Sequence, residues 1–418
     1  MQGIVDVPGS KNAALSLLSA VVLCEGRTVI HNIPRVADTA IKANLLSNFG
    51  AKIEWHEGSM YIDASNLVQG EVDEETVRSI RTSFFLLGPL LARLGKVDIA
   101  APGGCQIGAR PLDFHIKGLT KMGADIDFSG GVFHARANGL VGAEIYLDSP
   151  SPGATQHLMA AAVLAKGQTV IENAAMEPEV TTLASYLGRA GARIEGAGTS
   201  RITISGVSAL NECEYTVPAD RIQAGTYLIA GAITRGDVTV RGILPVDQTA
   251  LCNKLEESGS TVTEGPDWIR VTTTERPTAL KIKTMPYPGF PTDLQQPMCA
   301  LGSIARGTSL IEETIYESRI GHIRELNRMG AQIRLEGRTA IIDGSEGLSG
   351  CSVAATDLRA GASLILAGLA ADGTTTIQNL KYVDRGYERL EEILNELGGS
   401  VERVPSEVEA SVRTDSIF

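Results

Sequence analysis

The sequence has little that would suit a metal ion, a membrane or a nucleic acid. Its six histidines form no His-x-x-x-His or His-Glu-x-x-His pair, so a metal site has no ligand set to build on. Its six cysteines, at 24, 105, 213, 252, 299 and 351, include no Cys-x-x-Cys and follow no pairing pattern. That pattern reads as reduced thiols in a cytoplasmic protein. No basic-then-apolar leader opens the chain, and its apolar stretches are too short and too interrupted by small polar residues to span a bilayer. Positive charge is also scarce: 37 Lys and Arg stand against 49 Asp and Glu, for a net charge of −12. A general nucleic-acid binder needs a broad cationic field, which this balance does not supply. An anionic small-molecule substrate would have to be captured by locally clustered cations.

What is present is an ordinary globular composition, 43% hydrophobic and 21% charged over 418 residues. At roughly 150 residues per domain this allows two or three domains. The chain also repeats itself. Gly50-Ala-Lys-Ile53, Gly123-Ala-Asp-Ile126, Gly191-Ala-Arg-Ile194, Gly259-Ser-Thr-Val262, Gly330-Ala-Gln-Ile333 and Gly398-Gly-Ser-Val401 share one pattern, at intervals of 68 to 73 residues. A glycine just past a helix and just before a strand accounts for it. A second series interleaves: Gly26, Gly95, Gly167, Gly236, Gly307 and Gly373 each open a β-branched stretch after an Ala/Leu-rich run. Two periodic series in register predict six copies of an α/β unit of about 70 residues. Such units could close into a scaffold ring, stack as a solenoid, or build an enzyme. Functional residues at unusual places within the units decide between these.

Such residues occur. Pro102 to Pro111 reads Pro-Gly-Gly-Cys-Gln-Ile-Gly-Ala-Arg-Pro, a loop of wide backbone freedom with a thiol, Cys105, and a guanidinium, Arg110. A reactive group there could be brought down onto an anionic substrate. Taken alone, the loop also reads as a surface turn holding a small apolar side chain. Lys11 and Asn12 precede the first Ala/Leu run, Arg81 the second, Asp220 and Arg221 the fourth, Asp293 the fifth, and Asp357-Leu-Arg359 the sixth. Inward-pointing helix N-termini would gather these groups and add partial positive charge suited to phosphate. Singly each is unremarked: Asp220 reads better as an N-cap, and Arg81 could be a solvated cation. The ensemble is what points to a site.

Pro8-Gly-Ser-Lys11-Asn12, the Cys105 loop through Arg110-Pro-Leu-Asp-Phe-His115, Phe290-Pro-Thr-Asp293, Asp357-Leu-Arg359 and Asp384-Arg385-Gly-Tyr-Glu-Arg389 resemble the UDP-N-acetylglucosamine 1-carboxyvinyltransferases. These are enolpyruvyl transferases of the EPSP synthase superfamily, and the resemblance runs over nearly the whole chain. It implies an α/β fold of two inside-out barrel domains with three repeats each. Residues 12–218 would form one domain, residues 1–11 with 219–418 the other, with a hinge at the two crossings and a cleft between. It also implies transfer of the enolpyruvyl group of phosphoenolpyruvate to the 3′-hydroxyl of UDP-N-acetylglucosamine, with release of phosphate. That reaction is the first committed step of peptidoglycan synthesis and needs no metal or redox cofactor. Closure of the cleft on the nucleotide sugar would carry Cys105 over phosphoenolpyruvate.

Residue by residue, the resemblance makes Cys105 the acid that protonates the enol carbon and the target of the epoxide fosfomycin. It makes Asp293 the base near the attacking hydroxyl. Lys11, Asn12, Arg110, Arg359 and Arg385 would hold phosphoenolpyruvate, with Lys11 and Arg385 also acting in catalysis. Arg81, Arg110, Pro111, Leu112, Asp113, Phe114, Ser151, Gly153, Asp293 and Ile315 would line the nucleotide-sugar site. Arg319 and Asp357 would support them, and His115 and His322 would be structural. The implied partners are the two small substrates alone, with no nucleic acid or membrane, on a monomer or weak oligomer.

The chain departs from the family pattern at Ser149, where some members carry Lys, which touches the diphosphate contact. It also begins about ten residues later than the pattern, which predicts a missing first strand and an exposed sheet edge. The polar tail from Pro405 to Phe418 is expected to fray. Two rival readings remain at this level. One is the sister 3-phosphoshikimate 1-carboxyvinyltransferase, which generally lacks the Cys-bearing loop. The other is a catalytically silent regulatory paralogue.

Overall fold

Small and branched apolar residues dominate the Ala/Leu-rich runs, and these fold as helices buried on every side. In Arg221–Ile233 every residue from Ile222 onward is buried, and Gln295–Ile304 is buried throughout. A helix apolar all round has to lie inside a core rather than on its surface. The structure is a computed structural model that describes residues 1–69, 74–103, 107–108 and 112–404. Its buried apolar residues fall into two clusters. The first gathers side chains from Ala13 to Val217, around Lys11–Ala20, Leu87–Leu94 and Pro152–Ala162. The second gathers Val5, Val7 and side chains from Ile222 to Leu397, around Arg221–Ile233, Gln295–Ile304 and Leu358–Leu369. Close approach inside the first cluster relies on glycine at 88, where a Cβ would stand 2.8 Å from His157 Nε2 and 2.9 Å from Ala161.

Mixed sheets cover these helices. Arg27–His31 pairs antiparallel with Ser59–Asp63, which pairs antiparallel with Lys52–His56, while Glu214–Thr216 adds in parallel beside Arg27–His31. Three further four-stranded sheets share that plan, centred on Gln168–Glu172, Asp237–Arg241 and Thr308–Glu312. Lys96–Ala100, Val132–Arg136 and Asp125–Ser129 form the same antiparallel set with three strands among the described residues. The last segment differs, with Thr376–Gln378 pairing in parallel with Ser352–Ala354. The glycines that mark the sequence period have a local cause. Gly50, Gly123, Gly191, Gly259, Gly330 and Gly398 all have φ between 82° and 107°, a conformation that side-chain-bearing residues enter at a cost. In the second series Gly236 alone lacks a positive φ, and glycine is required there for another reason: a Cβ would stand 1.9 Å from the Met1 carbonyl.

Gln2–Asp6 pairs in parallel with Asp237–Arg241, residue for residue from Gln2↔Asp237 to Asp6↔Arg241. One edge of that sheet is thus formed by residues whose partner lies more than 230 positions away in the chain. The chain passes between the two clusters twice, side by side. Ser10 N–H donates to the Pro218 carbonyl at 2.8 Å and Asp220 N–H to the Pro8 carbonyl at 2.8 Å, around the antiparallel bridge Gly9↔Ala219.

Candidate active site

The two crossings set the first charged group. Lys11 opens its helix with its N–H donating to Asp220 Oδ2 at 3.1 Å, while Asp220 Oδ1 accepts from Ile222 and Gln223 N–H. Asp220 thus caps two helix N-termini at once, in keeping with the N-cap reading. The Lys11 ammonium reaches Asp38 Oδ2 at 3.4 Å, and the Arg385 guanidinium donates to Asp38 Oδ1 at 2.8 Å and Oδ2 at 3.4 Å. Asp38 is buried, so one carboxylate holds two cations at the junction of the two clusters.

A second knot lies in the later half. Asp293, in the 3₁₀ turn Thr292–Leu294, accepts from Arg319 Nη1 at 2.7 Å on Oδ1 and from Arg359 Nη2 at 3.0 Å on Oδ2. Burial works against its charge, but Arg319, Arg359 and the charge of Lys11 outweigh it and hold its carboxyl far below the usual carboxylate range. Arg359 is 1% exposed, lies 5.3 Å over the Tyr387 ring, and keeps Nη1 without a hydrogen-bond partner. Arg319 likewise keeps Nε unpartnered. Asp357 caps Leu358–Leu369 through the N–H groups of Arg359 and Ala360, and accepts from Gln296 Nε2 at 3.0 Å. Buried donors left open beside a fixed carboxylate suit capture of a small anion.

The other predicted residues fall in two places. On the first cluster, Arg81 opens the 3₁₀ helix Arg81–Leu86, Leu112 and Asp113 open Asp113–Lys121, and Ser151 caps Pro152–Ala162 by accepting from Ala154 N–H at 3.3 Å. Gly153 lies against Phe85, where a Cβ would meet the ring at 2.7 Å, and Phe85 stacks on His115, the neighbour of Phe114. On the second cluster, Ile315 donates its N–H to Glu313 beside the Asp293 turn. Asn12 is half-buried next to Lys11, and Ser149 is exposed. The earlier and later halves of the chain also meet where Ser318 N–H donates to the Ile107 carbonyl at 3.0 Å. Cys105, Arg110 and Pro111, and the tail from Pro405, lie outside the described residues.

Several polar groups near the candidate residues went unread in the sequence: Asp38, Thr292, Glu313, Glu179, which accepts from Arg221 at 3.0 Å, and Lys42. Lys42 is fully buried with its amine on the Thr82 carbonyl at 2.6 Å, and burial drives its pKa well down. Among the described residues no group of three or more His, Cys, Asp or Glu could hold a metal ion, and no helix is long and apolar enough to cross a membrane.

His115 and His157 form a buried pair with Nδ1 atoms 2.9 Å apart. His157 Nε2 accepts from Gly88 N–H at 2.8 Å, so its proton sits on Nδ1 and is donated to His115 Nδ1. Burial first, then the Arg81 charge, pushes the His115 pKa down to about 3, and burial pushes His157 well below its ordinary value. Unfolded histidines take up protons near pH 6.5, so stability is full above that pH and is lost as pH falls toward 3. The expected loss is about 1.4 kcal/mol per pH unit for each histidine. His157→Gln, whose amide can accept from Gly88 and donate to His115, is expected to halve the fall in melting temperature that this pair causes between pH 6.5 and 5. Identical slopes in calorimetry would reject this account.

Residues 1–394 match the family described as EPSP synthase (3-phosphoshikimate 1-carboxyvinyltransferase). Relatives include UDP-N-acetylglucosamine 1-carboxyvinyltransferase 1 of Symbiobacterium thermophilum, 49% identical over 97% of this chain and 93% of the relative. The UDP-N-acetylglucosamine 1-carboxyvinyltransferase of Shewanella piezotolerans is 48% identical over 97% of both chains. Among solved structures, the enolpyruvyl transferase NikO from Streptomyces tendae superposes with a TM-score of 0.86 at 25% identity, covering 95% of each chain. EPSP synthase from Acinetobacter baumannii gives 0.73 at 22% identity, over 96% of this chain and 97% of the other, a likeness of fold. The sequence and the mixed α/β architecture together place this chain in the EPSP synthase family, on its UDP-N-acetylglucosamine 1-carboxyvinyltransferase branch.

Proposed function

We propose that this chain transfers the enolpyruvyl group of phosphoenolpyruvate to the 3′-hydroxyl of UDP-N-acetylglucosamine, releasing phosphate, as the first committed step of peptidoglycan synthesis. The observation that carries the reading is the convergence of Lys11 and Arg385 on Asp38, and of Arg319 and Arg359 on Asp293, in a chain nearly half identical to enzymes of that name. Phosphoenolpyruvate carries a carboxylate and a phosphate on neighbouring atoms. Lys11, Asn12, Arg110, Arg359 and Arg385 hold them, and guanidinium forks match both anions.

Two domains of three repeats, 12–218 and 1–11 with 219–418, enclose the substrates. Separate apolar clusters joined by two adjacent crossings support that division. Closure on the nucleotide sugar is supported by the bonds between the earlier and later halves of the chain at Asp38–Arg385 and Ile107–Ser318. The sugar nucleotide lies along Arg81, Arg110 to Phe114, Ser151, Gly153 and Ile315.

In the first step Cys105 gives its proton to C3 of the enol and the 3′-oxygen bonds to C2, its proton passing to Asp293. The second step removes a C3 proton, restores the double bond and expels phosphate. Charge moves toward the phosphate and across C2, so fixed cations and helix dipoles supply most of the catalysis. A thiol of ordinary pKa, about 8.5, is still mostly protonated at neutral pH, and can act as the acid.

Phosphate release from phosphoenolpyruvate, measured with UDP-N-acetylglucosamine and separately with shikimate 3-phosphate, tests the assignment. Turnover is expected only with the nucleotide sugar. Turnover with shikimate 3-phosphate alone would favour the sister activity, and none with either a silent paralogue. Cys105→Asp keeps an acid and removes the thiol, so activity is expected to survive while inactivation by fosfomycin is lost. A folded but inactive Cys105→Asp protein would contradict the acid role.

A further inference from the structure

Glu313 ends the strand Thr308–Glu312 by one residue and is 1% exposed, yet it has no basic partner among the described residues. A buried carboxylate is costly unless several donors satisfy it. Four do. Oε1 accepts from Ile315 N–H at 2.7 Å, Tyr316 N–H at 3.0 Å and Thr284 Oγ1 at 3.0 Å, and Oε2 accepts from Thr292 Oγ1 at 2.7 Å. The first two bonds fix the segment that carries Ile315, and the last fixes the turn that carries Asp293.

The bond to Thr292 also has a direction. A threonine hydroxyl owns one hydrogen, and here Glu313 takes it. The lone pairs of Thr292 Oγ1 are thereby turned to Arg319 Nη1, which donates to it at 2.9 Å and to Asp293 Oδ1 at 2.7 Å. We infer that Glu313 is a positioning residue for the acceptor side of the reaction: through Thr292 and Arg319 it sets the orientation of Asp293, and through the Ile315 and Tyr316 amides it sets the wall facing it. This rests on the assignment of Asp293 as the base near the acceptor hydroxyl.

Glu313→Gln tests it. One carboxylate oxygen becomes an NH₂, so either the two amide N–H groups or the Thr292 hydroxyl faces a donor. If Thr292 does, its hydrogen turns toward Arg319 and the clamp on Asp293 loosens. A misplacement of that kind costs on the order of 10- to 100-fold. The expected result is that loss in kcat/KM for UDP-N-acetylglucosamine, with KM for phosphoenolpyruvate within about twofold of wild type.

Thr292→Val, which keeps the shape and removes the hydroxyl, should show the same split, a loss in kcat/KM for UDP-N-acetylglucosamine with KM for phosphoenolpyruvate little changed. The double variant should be no worse than the weaker single variant, as expected for links of one chain. An unchanged kcat/KM for UDP-N-acetylglucosamine in Thr292→Val, or strictly additive losses in the double variant, would overturn the inference, as would a Glu313→Gln protein that only melts lower. Should Glu313→Gln not fold, Thr292→Val decides alone. Asp293→Asn keeps the two failures apart: if it stays fully active, the base assignment falls; if it is inactive while Glu313→Gln and Thr292→Val behave as wild type, only the relay falls.

Discussion

Asp293→Asn is expected to lower kcat by about 10²- to 10⁴-fold, the range a positioned general base contributes, with the fold retained. The amide cannot take the 3′-hydroxyl proton. Its oxygen can still accept from Arg319, but its NH₂ then faces Arg359, donor against donor, at the site of a 3.0 Å bond. In the wild-type protein the two guanidiniums keep Asp293 ionised far below neutral pH, so kcat should not decline through the ordinary carboxylate range on its account. A carboxylate held so low is a weak base while both arginines face it alone. Arg359 Nη1 has no hydrogen-bond partner; if phosphoenolpyruvate engages that guanidinium, as proposed, its field on Asp293 is shared, and the proposed base strengthens as the donor substrate binds. Single-turnover phosphate release, with circular dichroism to confirm folding, measures the effect, and an Asp293→Asn protein within severalfold of wild type would rule the role out.

What the sequence made legible was what local chemistry dictates. The glycine series could be read because a left-handed residue past a helix is a requirement of the chain itself, met at each of the six glycines from Gly50 to Gly398. Asp293, Asp357 and Arg359 could be read because they stand at helix entries in a recognisable order. The pairing of Gln2–Asp6 with Asp237–Arg241 was not legible, because nothing within Gln2–Asp6 announces so distant a partner. Asp38 passed unnoticed for a similar reason. An acid in the first turn of Ala37–Asn48 is what any helix start favours, and only the fold brings it to Lys11 and to Arg385, 27 and 347 positions away. Glu313 looks in sequence like an ordinary acid at a strand end, and its four donors come from Thr284, Thr292 and the turn that follows it.

Asp38→Ala should be the most damaging single change to stability outside the apolar clusters. The carboxylate is 4% exposed, and its removal leaves the Lys11 ammonium and the Arg385 guanidinium, 12% and 17% exposed, without the charge that both face. Breaking a buried pair in this way costs about 3–5 kcal/mol, because the Lys11 charge that survives loses its counter-ion. Asp38→Asn keeps the shape and one acceptor, and should lose less. The same picture predicts how the damage is repaired. If Lys11 and Arg385 are the cations that receive phosphoenolpyruvate, its carboxylate and phosphate supply the missing negative charge, and ligand that binds only the folded state stabilises it. Added phosphoenolpyruvate should therefore raise the melting temperature of Asp38→Ala and Asp38→Asn by more than it raises that of the wild type, where Asp38 competes for the same two cations. Equal shifts across the three proteins would mean that the Asp38 knot braces the junction of the two clusters and takes no part in holding the donor substrate.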